Sequence, residues 1–598
     1  MARWECETLY NQEVFCSEAR ELLRQASACK SIAEVRERLT DALHRAFEKT
    51  IGEDSEFATH TLIRSRDCMH TLQNVLLKRS EERAEFSIAG VLWDAARGQR
   101  RDDLTPAFWA ELIHWVRGLY GRSRFDFLGQ ADTHAGKTGR EAAIERSSEL
   151  DSLWDRVQSR MARFPDGLAE EVRRRREANK ERVLQALGGR PGDWNNWLWH
   201  TGHIIKDAET LGRVVKLSEA ERDSIAKACR GRLPFGVTPY YASLMDEDGG
   251  EADRAVRAQV IPPPDYVRFM LENRDRRESC CDFMLEADTS PINRITRRYP
   301  AIVILKPYNT CPQICVYCQR NWEIEEVMAP DALAPDGEMD QAIRWIADHE
   351  AVHEVLITGG DPMVLDDAYL EQLLGRLAGI EHVDLIRIGT RTPVTLPMRI
   401  TERLASMLGG FRELGRRELA VVTHVEHAYE ITPEMAAAVD RLRRAGLSVY
   451  NQQVFTFYVS RRFESARLRM LLRRIGIEPY YTFVPKGKQE TGSYRVPIAR
   501  ILQEQKEEVR LLPGMRRTDA PVYNIPGLGK NHLRAAQHRD LLSVLPDGSR
   551  VYEFHPWEKN IVKCSMHIAA DVPILDYLVR LADLGENLEE YASIWYYF

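Results

Sequence analysis

The sequence predicts an α/β protein in which parallel strands alternate with helices, preceded by a large all-helical region. Three observations carry this. Apolar, β-branched runs recur at 301–305, 353–358, 383–388, 419–424, 448–455 and 478–484, with amphipathic stretches such as DQAIRWIADHE and DDAYLEQLLGRLAG between them. Strands separated by helix-length segments pair in parallel through crossover connections, giving an α/β barrel or part of one. The first 190 residues are helical in pattern, and the residues able to do chemistry fall just past the carboxyl ends of the runs, the rim where parallel barrels build their sites.

In the first region Ser31 and Glu34 form a capping box, and Val35, Leu39, Leu43 and Phe47 recur behind it at helical spacing. Thr105-Pro106 opens another helix with Phe108, Leu112 and Val116 on one face. Arg173 to Arg176 lie in a Glu- and Lys-rich helix and read as a solvated face. Residues 1–190 are expected to form an accessory helical domain that ends at the linker Gly188-Gly189-Arg190-Pro191-Gly192, because Gly and Pro stop helices. A helical segment, 191–295, leads into the barrel at 296–530, and a C-terminal segment covers 531–598.

Charged residues make up 29% and hydrophobic ones 44%, as in an ordinary globular protein. Lys plus Arg total 83 against 90 Asp plus Glu, a net charge of −7, which argues against nucleic acid as a partner. No apolar run approaches the ~20 residues that cross a bilayer, and Glu and Arg interrupt the N-terminus where a signal peptide needs an apolar core. A cytoplasmic location without membrane contact is expected.

Cys311, Cys315 and Cys318 follow the first run in a C-x3-C-x2-C spacing, within RYPAIVILKPYNTCPQICVYCQR. Three thiolates on one loop can hold three irons of a [4Fe–4S] cluster and leave the fourth open. Zinc competes, but closed zinc sites want four ligands and no second cysteine pair follows. Around the same rim, Gly359-Gly360-Asp361 follows the second run, Arg391 the third, His424 closes the fourth, Gln452 sits in the fifth and Lys486 follows the sixth.

The cysteine spacing resembles the signature of radical S-adenosylmethionine enzymes, which implies a partial (β/α)6 barrel. LITGGDPMVLDD, IRIGTRTPVTLPMRIT, THVEHAYEIT and PGLGK, together with the TPYY stretch before the barrel, resemble the lysine 2,3-aminomutase family. The resemblance implies a cluster on the three cysteines, S-adenosylmethionine held with the help of Gly359, Gly360 and Asp361 and contacted by Arg391, His424 and Gln452, and pyridoxal 5′-phosphate held as a Schiff base by Lys530. It assigns Arg298 to the phosphate, Tyr299 to the pyridine ring and Arg320 to the substrate α-carboxylate. A second phosphate arginine is replaced by Ile302. The family's C-terminal zinc site is not expected, since Cys564 is the only cysteine after Cys318. Where lysine 2,3-aminomutases carry two aspartates against the substrate ammonium, this chain has Lys486 and Asn524, a pair similar to that of glutamate 2,3-aminomutases. The implied reaction shifts the amino group of L-glutamate from the α- to the β-carbon. Another amino acid, or a radical reaction without pyridoxal phosphate, is the alternative. The implied partners are the amino acid itself, an electron donor such as flavodoxin or ferredoxin, and further copies of the chain.

Overall fold

A computed structural model describes residues 3–52, 59–123, 136–555 and 566–598, and the chain divides into two compact units. One comprises 161–495 with 512–530, and the other 1–160 with 496–511 and 531–598.

The first of these is the barrel. Two-residue β1 (Ile295–Thr296) runs antiparallel to β2 (Ile302–Tyr308). From there β3 (Glu354–Gly359), β4 (Leu385–Gly389), β5 (Glu418–Thr423), β6 (Ser448–Val454) and β7 (Glu478–Phe483) add in sequence order, all parallel. These are the six expected strands. A seventh parallel strand, β8 (Ala520–Ile525), pairs with β7 through Phe483↔Val522 and is followed by β9 (Gly529–His532). The run APVYNI is short and opens next to a proline, so its β character is hidden in the sequence.

Side chains on the strands alternate. Val303, Leu305, Val355, Ile357, Ile386 and Ile388 are buried among the crossover helices. The alternate positions, among them Lys306, Glu354, Arg387, Tyr450, Gln452 and Tyr480, are only half-buried and line the inner face. The helices form where the amphipathic stretches begin with good caps. Asp366 caps Asp367–Ala378, which buries Leu370, Leu373, Leu374 and Leu377, and Thr432 caps Pro433–Arg444. Each fully buried Leu of this kind stabilises by about 1.5–3 kcal/mol.

Helix Glu170–Leu187 also belongs to the barrel unit and ends at Gly188, with φ +71°, so the glycine–proline run is a helix cap inside one unit. The division falls at Arg160–Met161. Arg176 departs from the expected solvated face. It is buried, lies 4.5 Å over the Tyr429 ring and donates to the Tyr429 carbonyl. Arg174, by contrast, pairs with Glu170 at the surface.

In the other unit Ser31 caps Ile32–Ile51 and Thr105 caps Pro106–Leu119, with Val35, Leu39, Leu43, Phe108, Leu112 and Val116 buried. Phe47 is half-buried, and Ala46 takes the inward position. Toward the C-terminus an antiparallel sheet forms, β10 (Arg539–Val544), β11 (Arg550–Phe554) and β12 (His567–Ala570), followed by helix Ile574–Asp583. Arg550 on β11 meets Glu111 of helix Pro106–Leu119 in a two-pronged, fully buried ion pair, with Nη2–Oε2 at 2.8 Å. Among the described residues no helix is long and apolar enough to cross a membrane.

Candidate functional site

After Tyr308 the chain leaves the sheet as the cysteine loop. Cys318 N donates to the Cys315 carbonyl at 3.2 Å, and the loop is pinned on both sides by Ile314 N to Gly236 O (3.0 Å) and Val316 N to Gln259 O (2.9 Å). The glycine turn after β3 packs directly on it. Gly360 N donates to Tyr308 O at 2.7 Å and Asp361 N to Thr310 O at 2.9 Å. A Cβ on Gly360 would stand 2.0 Å from Thr310 O, and Gly359 adopts φ +119°, so only glycine lets the two backbones meet. The Asp361 carboxylate faces β4 instead, accepting from Thr390 Oγ1 (2.6 Å), Arg391 N (2.9 Å) and Met363 N (3.1 Å).

Arg391 is the hub of this rim. Its Nη1 donates to Cys315 Sγ at 2.8 Å, its Nε to the His424 carbonyl at 3.1 Å, and its Nη2 to Glu430 Oε1 at 2.6 Å and to Gln259. Tyr241, from the TPYY stretch, donates to the same Glu430 oxygen at 2.7 Å. The His424 ring is hydrogen-bonded to the Gln452 backbone. Burial and the nearby Arg391 push its pKa down to about 4, so the imidazole is neutral.

Burial pushes the Cys311 thiol well up, and Asp361, Cys318 and Cys315 add to this; burial likewise raises Cys315, against the pull of Arg391. Burial thus keeps Cys311 and Cys315 protonated until a bound metal draws the thiolates out. Three cysteines without a fourth protein ligand suit a cluster that leaves one iron open better than a closed zinc site, which wants four. Cys564 lies outside the described residues.

A second group of residues faces the barrel interior. The Lys530 amine sits 4.4 Å from the Tyr299 ring centre, 3.3 Å from its hydroxyl and 5.4 Å from the Tyr481 ring. An amine in an aromatic niche, with Arg298 one residue from Tyr299, suits pyridoxal phosphate. Ile302 offers no donor; Arg387, ion-paired to Glu354 on the inner face, is another cation there.

Arg298 and Arg320 do not stand open. Both converge on Glu286, which the sequence did not single out. Its Oε1 accepts from Arg320 Nη1 and Lys306 Nζ, each at 2.6 Å, and its Oε2 from Arg298 Nη2 at 3.2 Å. Lys486, half-buried, donates to Gln319 of the cysteine loop. Burial, then Arg298 and Lys488, push its pKa well below the usual lysine range, with Cys318 and Glu286 opposing. Lys488 is occupied elsewhere, with Glu490 at 2.5 Å and Asn321 at 2.8 Å. Asn524, half-buried on β8, is on the strand that leads to Lys530.

A family model described as the radical SAM superfamily matches residues 305–460. An uncharacterized KamA family protein of Methanocaldococcus jannaschii is 42% identical over 548 residues, covering 88% of this chain and 87% of that protein. A glutamate 2,3-aminomutase of Clostridioides difficile is 31% identical over 437 residues, 72% of this chain and 96% of its own length. An L-lysine 2,3-aminomutase of Bacillus subtilis is 30% identical over 59% of this chain and 71% of its own length.

Barrel, cysteine loop and glycine turn thus define a radical S-adenosylmethionine enzyme. Within that class the chain belongs to the KamA family and is related to the amino acid 2,3-aminomutases. Cys311, Cys315 and Cys318 would hold the [4Fe–4S] cluster, and the Gly359-Gly360 turn would help to hold S-adenosylmethionine. When bound, these groups supply radical hydrogen abstraction, and pyridoxal phosphate would add an extended π-system for unpaired spin.

Proposed function

We propose that the chain is a pyridoxal phosphate-dependent 2,3-aminomutase that converts L-glutamate to β-glutamate. The observation that supports the substrate is Lys486, a half-buried amine that donates to Gln319 of the cysteine loop, lies within the field of Arg298 and Glu286, and becomes a cation when a carboxylate binds beside it. It stands where the lysine-specific relatives are expected to carry an anion. At ~4 Å and an effective dielectric near 20, a charge contact is worth about 4 kcal/mol before desolvation, so its sign outweighs small packing preferences. Asn524 leaves that end of the pocket without an opposing carboxylate.

In this reading Arg320 takes the α-carboxylate through a two-pronged contact, Lys486 takes the side-chain carboxylate, and Lys530 holds pyridoxal phosphate against Tyr299. Arg298 takes the phosphate. Tyr299 and Tyr481 keep water from the amine. The reducing electron comes from a flavodoxin or ferredoxin, and the working form is a homo-oligomer. The match to a glutamate 2,3-aminomutase over nearly all of that protein's length supports the assignment.

The test is anaerobic incubation of the reduced, cluster-loaded protein with S-adenosylmethionine, pyridoxal phosphate and a panel of L-amino acids. β-Glutamate is the expected product. Faster isomerisation of lysine than of glutamate rejects the substrate, and no β-isomer from any amino acid rejects the reaction.

A further inference from the structure

We propose that Glu286 is an internal counter-ion seated where the α-carboxylate of an amino acid binds, and that the incoming carboxylate displaces it. This rests on the aminomutase reading for the identity of the ligand, but not for the displacement itself.

The first support is the seat. The Glu286 side chain is 6% exposed and is enclosed by Arg298, Lys306 and Arg320, with Thr296 Oγ1 donating to Oε1 at 3.1 Å. Burial alone would raise its pKa; Arg320 and Lys306 instead bring it down to about 2. Three cations this close do not share a buried space without an anion, so the seat is built for a carboxylate.

The second support is that Glu286 fills the seat incompletely. Arg320 spends Nη1 on Glu286 and Nη2 on Glu323, while its Nε is buried with no hydrogen-bond partner among the described residues. A guanidinium is best satisfied by a carboxylate across two of its nitrogens. Glu286 meets one, and leaves a buried donor for which a better-aligned carboxylate would compete.

The third is the turn that carries it. Leu285, next to Glu286, adopts φ +53°, a left-handed conformation that a non-glycine residue holds only under constraint, and its side chain is exposed. The turn is tied down by the Asp282 carboxylate, which accepts from Glu286 N at 2.5 Å and Ala287 N at 3.3 Å. Turning Glu286 outward releases Thr296, Lys306, Arg298 and Arg320, but its side chain takes no part in the backbone pairing of β1, β2 and β3.

The experiment is calorimetric binding to the full chain, without reductant or S-adenosylmethionine, comparing wild type with Glu286→Gln. The probes are L-glutamate, its α-amide isoglutamine, and sulfate. Glu286→Gln is expected to bind L-glutamate and sulfate about tenfold tighter, equivalent to ~1.4 kcal/mol, with no gain for isoglutamine. A folded Glu286→Gln protein that gains for neither anion overturns the proposal and leaves Glu286 a fixed structural pair. A gain for sulfate with no L-glutamate binding to either protein sustains the counter-ion and rejects the glutamate reading. Should Glu286→Gln not fold, Thr296→Val, which removes one donor to Glu286, is expected to tighten sulfate binding about threefold, the worth of a modest hydrogen bond. Unchanged or weaker binding by that variant overturns the proposal equally.

Discussion

Arg391 donates to the sulfur of Cys315 at 2.8 Å while its other nitrogen pairs with Glu430 at 2.6 Å, so one prospective iron ligand is tied into a buried ion pair. The guanidinium favours the thiolate at Cys315 and neutralises Glu430 at the same time. Replacing it disturbs both. Arg391→Gln is expected to cost about 3–5 kcal/mol, the usual loss when one member of a buried pair is removed, and to lower the iron bound on reconstitution. Denaturant midpoints and iron content check this; the double variant with Glu430→Gln should recover part of the stability but not the iron.

Cys311, Cys315 and Cys318 lie on a loop pinned chiefly by backbone bonds, such as Ile314 N to Gly236 O and Val316 N to Gln259 O. Single Ala replacements are expected to retain the fold, as read by circular dichroism, and to lose the cluster absorbance and iron. Full iron content in any of the three would remove that residue from the ligand set.

Gly360→Ala adds one methyl carbon, placed 2.0 Å from Thr310 O. The cysteine loop must then move away from the glycine turn. The expected result is a destabilisation of about 1–3 kcal/mol from overpacking and weaker binding of S-adenosylmethionine, measured by equilibrium dialysis.

Lys530→Ala removes the amine held against Tyr299. Pyridoxal phosphate absorbance and borohydride-trapped label should both disappear from the protein. A label that remains, mapped to another peptide, would assign the cofactor to a different lysine.

Lys486 predicts a pH effect. Its pKa in the free protein is held below the usual lysine range by burial and Arg298, and a bound carboxylate raises it again. Between the two values glutamate binding takes up a proton and weakens as pH rises; below both it is independent of pH. Calorimetry in two buffers of different ionisation heat measures the proton. Lys486→Asp combined with Asn524→Asp should abolish that uptake and shift competition from glutamate toward lysine.

Much of this was legible in the chain because it is local. The cysteine spacing, the Gly-Gly-Asp turn and the six strand runs are each contained in a few consecutive residues, and Ser31 and Thr105 cap helices where their neighbours require it. Arg391 was legible as a rim residue but not as a hub, since its partners Gln259, Glu430 and Tyr241 come from separate segments. Glu286 lay in a stretch with no periodicity, and its importance arises only when the β1–β2 connection, β2 and the end of the cysteine loop bring Arg298, Lys306 and Arg320 to it. β8 was hidden by its proline and its brevity. The burial of Arg176 depends on Tyr429, some 250 positions away, which no local charge pattern reports.

The bond between Glu111 and Arg550 has a consequence for the order in which the molecule is made. Residues 1–160 are made before the barrel, yet Arg550, the cation paired with the buried carboxylate of Glu111, comes only with β11. The residues of the barrel unit end at Lys530, ahead of β11. At about 5–20 residues per second the N-terminal helices wait for tens of seconds without the Arg550 partner of Glu111. A fragment cut at Arg160 would remain in that waiting state, prone to chaperone capture, and the helical region should be handled only together with residues 531–598.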